Sequence, residues 1–157
     1  MNRAQPSLAT TASATATIGS PLLTDQATVS GRADPLAGAT VTFGLYGPDD
    51  ACANPAVFSP VPVAYPVGGG AVTSPAFTPS QAGTYRWIAS YSGDANNLPV
   101  AGACNAAGET TVVNRAQPSI VTAASPAVTL GSGTITDSAI VNGRVLSVAG
   151  ATMTFSL

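Results

Sequence analysis

Residues 81–97 read QAGTYRWIASYSGDANN, and their alternation decides the fold. After the turn-forming Ala82 and Gly83, Tyr85, Trp87, Ala89 and Tyr91 fall on one face of an extended strand, while Arg86, Ile88 and Ser90 fall on the other. That is a strand buried on one side, with its rings aimed into a core. Outward from it, residues 38–45 repeat the pattern: Ala39, Val41, Phe43 and Leu45 alternate with Thr40, Thr42 and Gly44. Residues 25–31 turn Ala27 and Val29 inward, and residues 7–18, rich in Thr and Ala, read as an edge strand broken near Ser13. Prolines at 60 and 62 restrict residues 57–64 to an edge strand or an irregular crossing. Residues 71–77 and 109–113 complete about seven strands in roughly 110 residues, with turn signals between them. The chain is expected to be all-β, a two-sheet sandwich with Trp87, Tyr85, Tyr91, Phe43 and Val41 at its centre.

Composition narrows the chemistry. Charged residues make up 8% of the 157-residue chain, far below the usual quarter or so. There is no histidine, and all five basic residues are arginines, so lysine is absent too. Without histidine, the Ser-His-Asp and Cys-His devices and the commonest zinc sites are closed off. Without lysine, Schiff-base chemistry is closed off as well. No catalytic or cofactor-binding residue is assigned, and the chain reads as a non-enzyme. A net charge of −2 with no basic patch excludes the electrostatic footprint of a nucleic-acid binder. Pro, Gly and polar residues interrupt every apolar run short of the roughly 20 residues a membrane-spanning helix needs. The opening MNRAQPS carries no charged segment followed by an apolar one, so a secretory signal is expected only outside this chain.

The chain repeats itself. Asn2-Arg3-Ala4-Gln5-Pro6-Ser7 recurs as Asn114-Arg115-Ala116-Gln117-Pro118-Ser119, and the register continues without a gap to Leu157. Residues 2–45 and 114–157 share 25 identities in 44 positions at an offset of 112. Such a period is a whole sandwich domain, too long for a solenoid repeat. The domain organisation is therefore a complete unit over residues 1–113 and the first part of a second over 114–157, with three strands, the third ending at Leu157. Lacking its remaining strands, the partial unit is expected to expose an apolar face and unpaired edges. It is either a fragment of a longer array or a half-sandwich completed by strands of another chain.

Gly83-Thr84-Tyr85 with Trp87 two residues on resembles the start of the sixth strand of immunoglobulin-like sandwiches, where a tyrosine corner bonds back across the preceding loop. Trp87 stands where antibody domains place the second cysteine. Tyr91-Ser92-Gly93-Asp94-Ala95-Asn96 is similar to the segment that closes this strand in bacterial Ig-like repeats, the tandem modules of large surface and secreted proteins. The resemblance implies an immunoglobulin-like Greek-key sandwich with neighbouring repeats of the same chain as its partners. It also implies an extracellular or cell-surface location and a structural role as spacer or stalk of an adhesin-like protein. Two other functions stay open: a glycan- or protein-binding module using the loop after Tyr91, and a filament subunit whose 114–157 segment pairs with another copy.

Cys52 and Cys104 are either a disulfide or two small buried apolar residues. Their Gly-, Pro- and Asn-rich surroundings favour the disulfide, which would place the protein in an oxidising compartment. Immunoglobulin-like topology raises an objection, because it sets the loop after the Phe43 strand and the loop after the Trp87 strand at opposite ends. Only a long segment folding back along the sheet would join them, and the chain after Tyr91 is long enough. Asp94 and Asn96 are candidate calcium ligands, against the plainer reading of an Asx-bonded turn. Arg32 and Arg144 are expected to be solvated loop charges. Leu98-Pro99-Val100-Ala101-Gly102 is a poor match to a sortase signal, because Val-Ala replaces the threonine and no apolar tail follows.

Overall fold

A computed structural model describes residues 2–19, 22–145 and 149–156. The chain divides into two compact units, Met1–Asn114 and Arg115–Leu157. The first contains β1 (Ser7–Ala12), β2 (Ala16–Thr17), β3 (Asp25–Ser30), β4 (Thr40–Tyr46), β5 (Val63–Ala64), β6 (Ala71–Thr73), β7 (Gly83–Tyr91), β8 (Val100–Ala101) and β9 (Thr110–Asn114). The second contains β10 (Ser119–Ala124) and β11 (Asp137–Asn142). Among the described residues there is no helix, as a chain rich in Thr, Val, Gly and Pro dictates.

In the first unit β1, β3 and β6 form one antiparallel sheet, in the order β1-β3-β6. The other runs β2-β9-β7-β4-β5, with β8 added to β7. The edge strand is broken where the sequence suggests. β1 pairs with β3, residues 13–15 cross over, and β2 then pairs in parallel with β9. The alternating residues of β3, β4 and β7 are buried between the sheets, an arrangement consistent with a β-sandwich.

β7 is the spine. It pairs with β4 over six positions, from Val41 opposite Tyr91 to Tyr46 opposite Arg86, and with β9 over four. Trp87 is fully buried and meets Phe43 and Phe58 edge-on, at ring-centroid separations of 6.4 and 6.3 Å. Tyr85 and Tyr91 are buried beside it, and Val41 and Phe43 face them from β4. The Tyr85 hydroxyl donates to the Gln81 carbonyl at 2.9 Å and braces the turn into β7. Gly83 has a φ of 147°, and a Cβ there would lie 2.6 Å from the Pro48 side chain, so this turn demands glycine.

Within the first unit two features depart from the sequence reading. Arg32 is not a solvated charge: its guanidinium lies 4.7 Å from the centroid of the Tyr65 ring and donates to the Val67 carbonyl at 3.0 Å. Tyr65, which the alternation did not single out, is buried. Its hydroxyl accepts from the Val29 amide at 2.8 Å and donates to the Gly70 carbonyl at 2.6 Å. It anchors there because residues 57–64 cross irregularly between the sheets, bonded to β4 through Val57 and Phe58 at Leu45 and through the two-residue β5.

The second unit repeats the β1–β3 pairing. Ser119 opposes Asn142 and Ala124 opposes Asp137, the register of Ser7 with Ser30 and Ala12 with Asp25 moved by 112 residues. The expected third strand is absent among the described residues, since 151–156 belong to no sheet. Its counterpart β4 is held by β7 and β5, and the second unit has neither. Leu157 lies outside the described residues.

Replacing Tyr65 by Phe removes the bond to the buried Val29 amide and keeps the ring. The expected cost is about 1–3 kcal/mol, read as a lower urea midpoint with an unchanged slope.

Candidate functional site

The disulfide is made by a detour. After Tyr91 the chain turns, and β8 returns antiparallel to β7, with Ala101 opposite Ser90 and the Gly102 amide donating to the Ala89 carbonyl at 2.8 Å. Folding back along the sheet brings Cys104 level with the end of β4, where the loop carrying Cys52 begins. The two cysteines are bonded, with Cα atoms 6.1 Å apart. The fold-back meets the topological objection. Arg86, on the outer face of β7, ties the same two loops: its Nη1 donates to the Asp50 carbonyl at 2.9 Å and its Nε to Asn105 Oδ1. Asp50 accepts from the Ala53 and Asn54 amides, and the Ala53 bond leads in holding its carboxyl below the ordinary range.

At the far end of β7, Asp94 gathers a turn. Its Oδ1 accepts from the Asn96 amide at 2.8 Å, the Asn97 amide at 3.0 Å and Asn97 Nδ2 at 2.8 Å. Its Oδ2 accepts from Asn97 Nδ2 at 3.0 Å and from the Leu36 amide and the Tyr91 hydroxyl at 3.3 Å each. Desolvation pushes this carboxyl upward, but the bonds from Asn97, Asn96 and Leu36 prevail and bring it from 3.8 to about 2. Asn97 is fully buried and brackets Ala33, accepting from its amide at 2.7 Å and donating to its carbonyl at 3.0 Å. Asn96 Nδ2 donates to the Asp34 carbonyl at 2.8 Å. The incoming segment is laced to the same turn, since the Ala4 amide donates to Asn96 O and the Leu98 amide to Ala4 O, both at 2.8 Å. Of the two calcium candidates, then, Asp94 has both oxygens engaged by N–H and O–H donors, and Asn96 is tied through its side-chain nitrogen to the Asp34 carbonyl. Among the described residues no three His, Cys, Asp or Glu side chains cluster as a metal site would need.

A third cluster escaped the sequence reading. Asp25, first in β3, and Glu109, just before β9, are 0% and 1% exposed, and none of their four carboxyl oxygens has a hydrogen-bond partner. Desolvation, followed by the Glu109 charge, raises Asp25 to about 7. Glu109 is raised by desolvation too. One signal for this site was in the sequence: Asp25 and Asp137 recur in register in a chain with few charges. A strand-opening turn explains that recurrence equally well.

In the second unit an open groove of about 760 Å³ is lined by Ile120, Ile135, Ala139, Met153 and Phe155 among others. By the 112-residue offset these correspond to Leu8, Leu23, Ala27, Val41 and Phe43. Of those, the last four are buried in the first unit, so the groove is lined by the counterparts of core residues and stays open among the described residues of the second unit.

Comparison with known families, curated proteins and solved structures finds no match to this chain.

Serine at both Cys52 and Cys104 is expected to lower the unfolding free energy by about 4 kcal/mol, seen as a drop in denaturant midpoint that reductant reproduces in the parent chain. Asp94 contributes stability above its ordinary 3.8 that is lost as pH falls towards about 2. Amide exchange at Leu36, Asn96 and Asn97 should therefore quicken over that interval, relative to an unstructured chain at the same pH.

Proposed function

We propose that the chain is built of immunoglobulin-like Greek-key repeats that serve as a spacer or stalk in an extracellular or cell-surface, adhesin-like bacterial protein. The strand orders β1-β3-β6 and β2-β9-β7-β4-β5, with the edge strand shared between sheets, support the immunoglobulin-like reading. So does the Tyr85 hydroxyl bond to Gln81. The disulfide is compatible with an oxidising compartment. No reaction is assigned to the unit, and its partners in this reading are the repeats before and after it.

The observation that carries the spacer role is where the chain comes in and where it leaves. Ala4 is bound to Asn96 and Leu98, beyond the Tyr91 end of β7. Val113 pairs with Gly83, at the other end. The two points are separated by the nine residues of β7, roughly 30 Å at strand rise. Entry and exit at opposite ends of a unit suit a spacer, whereas entry and exit at one end would suit a hairpin-like module.

Self-assembly is the second reading, and the uncovered groove of the second unit favours it. Arrays of one, two and three complete repeats, made by continuing the chain with copies of residues 46–113, separate the two readings. A spacer gives a monomer in sedimentation and a maximum dimension in small-angle scattering that grows by at least about 30 Å per repeat. Arrays that collapse to a constant dimension would refute the spacer. The present chain sedimenting as a concentration-dependent polymer, with the completed arrays monomeric, would establish strand complementation.

A further inference from the structure

We propose that Asp25 and Glu109 share one proton and form a pH-operated latch on the crossing of the edge strand from one sheet to the other. The pair joins the two sheets, since Asp25 opens β3 and Glu109 leads into β9. Residues next to the two acids hold the crossing. The Ala12 amide donates to the Gly108 carbonyl at 2.8 Å, and the Ser13 amide to the Thr24 carbonyl at 2.8 Å. The Thr24 amide donates to Ser13 Oγ at 3.2 Å, and Thr111 Oγ1 to the Ser13 carbonyl at 2.6 Å. Thr24 and Gly108 are the residues immediately before Asp25 and Glu109. Separating the two carboxyls therefore pulls on both anchors of Ala12 and Ser13 at once.

Among the described residues no arginine faces the pair. Around the pair stand Thr10 and Thr11 from β1, Ser13 from the crossing, Gln26 from β3, Ser74 beyond β6, the backbone of Trp87 in β7 and Thr111 from β9. None of these carries a charge, and the charge acting on Asp25 is that of Glu109. Two buried carboxylates whose desolvation outweighs the weak polar contacts of Gln26, Thr11 and Thr10 repel each other across a poorly screened gap, and one shared proton turns that repulsion into a hydrogen bond. The titration belongs to the pair and not to either residue.

The direction of the effect follows. Both carboxyls lie above their ordinary values when folded, Asp25 at about 7. The folded chain thus keeps a proton that the unfolded chain releases near pH 4, and the stabilisation is complete below that and is lost as pH rises through about 7. The loss is felt first where the anchors are, at Ala12 and Ser13.

Carbon-13 carboxyl titration by NMR, with amide exchange on the intact chain, tests this. Expected are a coupled titration of Asp25 and Glu109 with one step above pH 6, and protection at Ala12 and Ser13 that falls at least tenfold between pH 6 and 8.5. Protection is taken relative to an unstructured chain at each pH, and that of the Trp87 amide should hold. In Glu109→Gln the Asp25 midpoint should drop by at least one pH unit and the protection become flat. Titration of both carboxyls near pH 4 in the parent chain overturns the latch, whether or not the variant folds. Protection that falls equally at Trp87 also overturns it, since the opening is then global. So does a titration that shifts between EDTA and added calcium, since a cation then occupies the place of the proton.

Discussion

The first unit depends on β7 being covered on both edges and on one face. Its ladder to β4 and β9 satisfies the backbone, and Trp87, Tyr85 and Tyr91 supply the bulk that the short side chains of β1, β3 and β6 cannot. The chain contains its own control for this dependence. Residues 2–45 and 114–157 are similar in sequence, yet among the described residues only the first copy forms the equivalent of β4. Both copies pair their first strand with the strand that follows it, because each carries both partners. A strand whose partner lies later in the unit, as β4 needs β7 and β2 needs β9, does not form among the described residues of the second unit, which supply no such partner. Alternation provides the propensity, and the partner strand converts it into a ladder.

The few charged side chains are used as fasteners. Asp50, Asp94, Arg32 and Arg86 all bond to backbone groups of loops that run beside other strands. This is an economical way to order long Gly- and Pro-rich connections, because Asp50 and Asp94 each accept from two or more backbone amides while Arg32 and Arg86 each cap a loop carbonyl. It also explains why so many loop residues lie at positive φ, among them Asp34, Asp49, Cys52 and Asn105. The backbone is bent towards these hubs and held there.

Much of this was legible in the sequence. The faces of β3, β4 and β7 follow from period-two alternation, the break in the edge strand from Ser13, and the second unit from the recurrence of N-R-A-Q-P-S. What was hidden involves groups whose meaning lies in a distant partner. Tyr65 sits in a proline-rich segment with no period, and only the folded chain brings its hydroxyl to Val29. Glu109 reads as one acid before a strand until Asp25, 84 positions earlier, is seen beside it. The disulfide could be argued from loop composition alone. Its route could not, because β8 is two residues long and carries no pattern.

The placement of the covalent and ionisable fastenings determines where the unit is weakest. The disulfide closes a loop from 52 to 104 that contains β5, β6, β7 and β8 and leaves β1 to β4 and β9 outside. Tension applied between Pro6 and Asn114 enters through β1 at one end and β9 at the other, so the covalent loop does not bear it. Those two strands are pulled along their own axes, against β3 and β7 respectively. Their ladder bonds are loaded together and do not open one after another from an end. Beyond the last β1 pair, Ala12 with Asp25, the next restraint is the crossing held by Thr24, Gly108 and Thr111. The protonation of the buried pair thus acts on the part of the unit that the disulfide leaves unprotected.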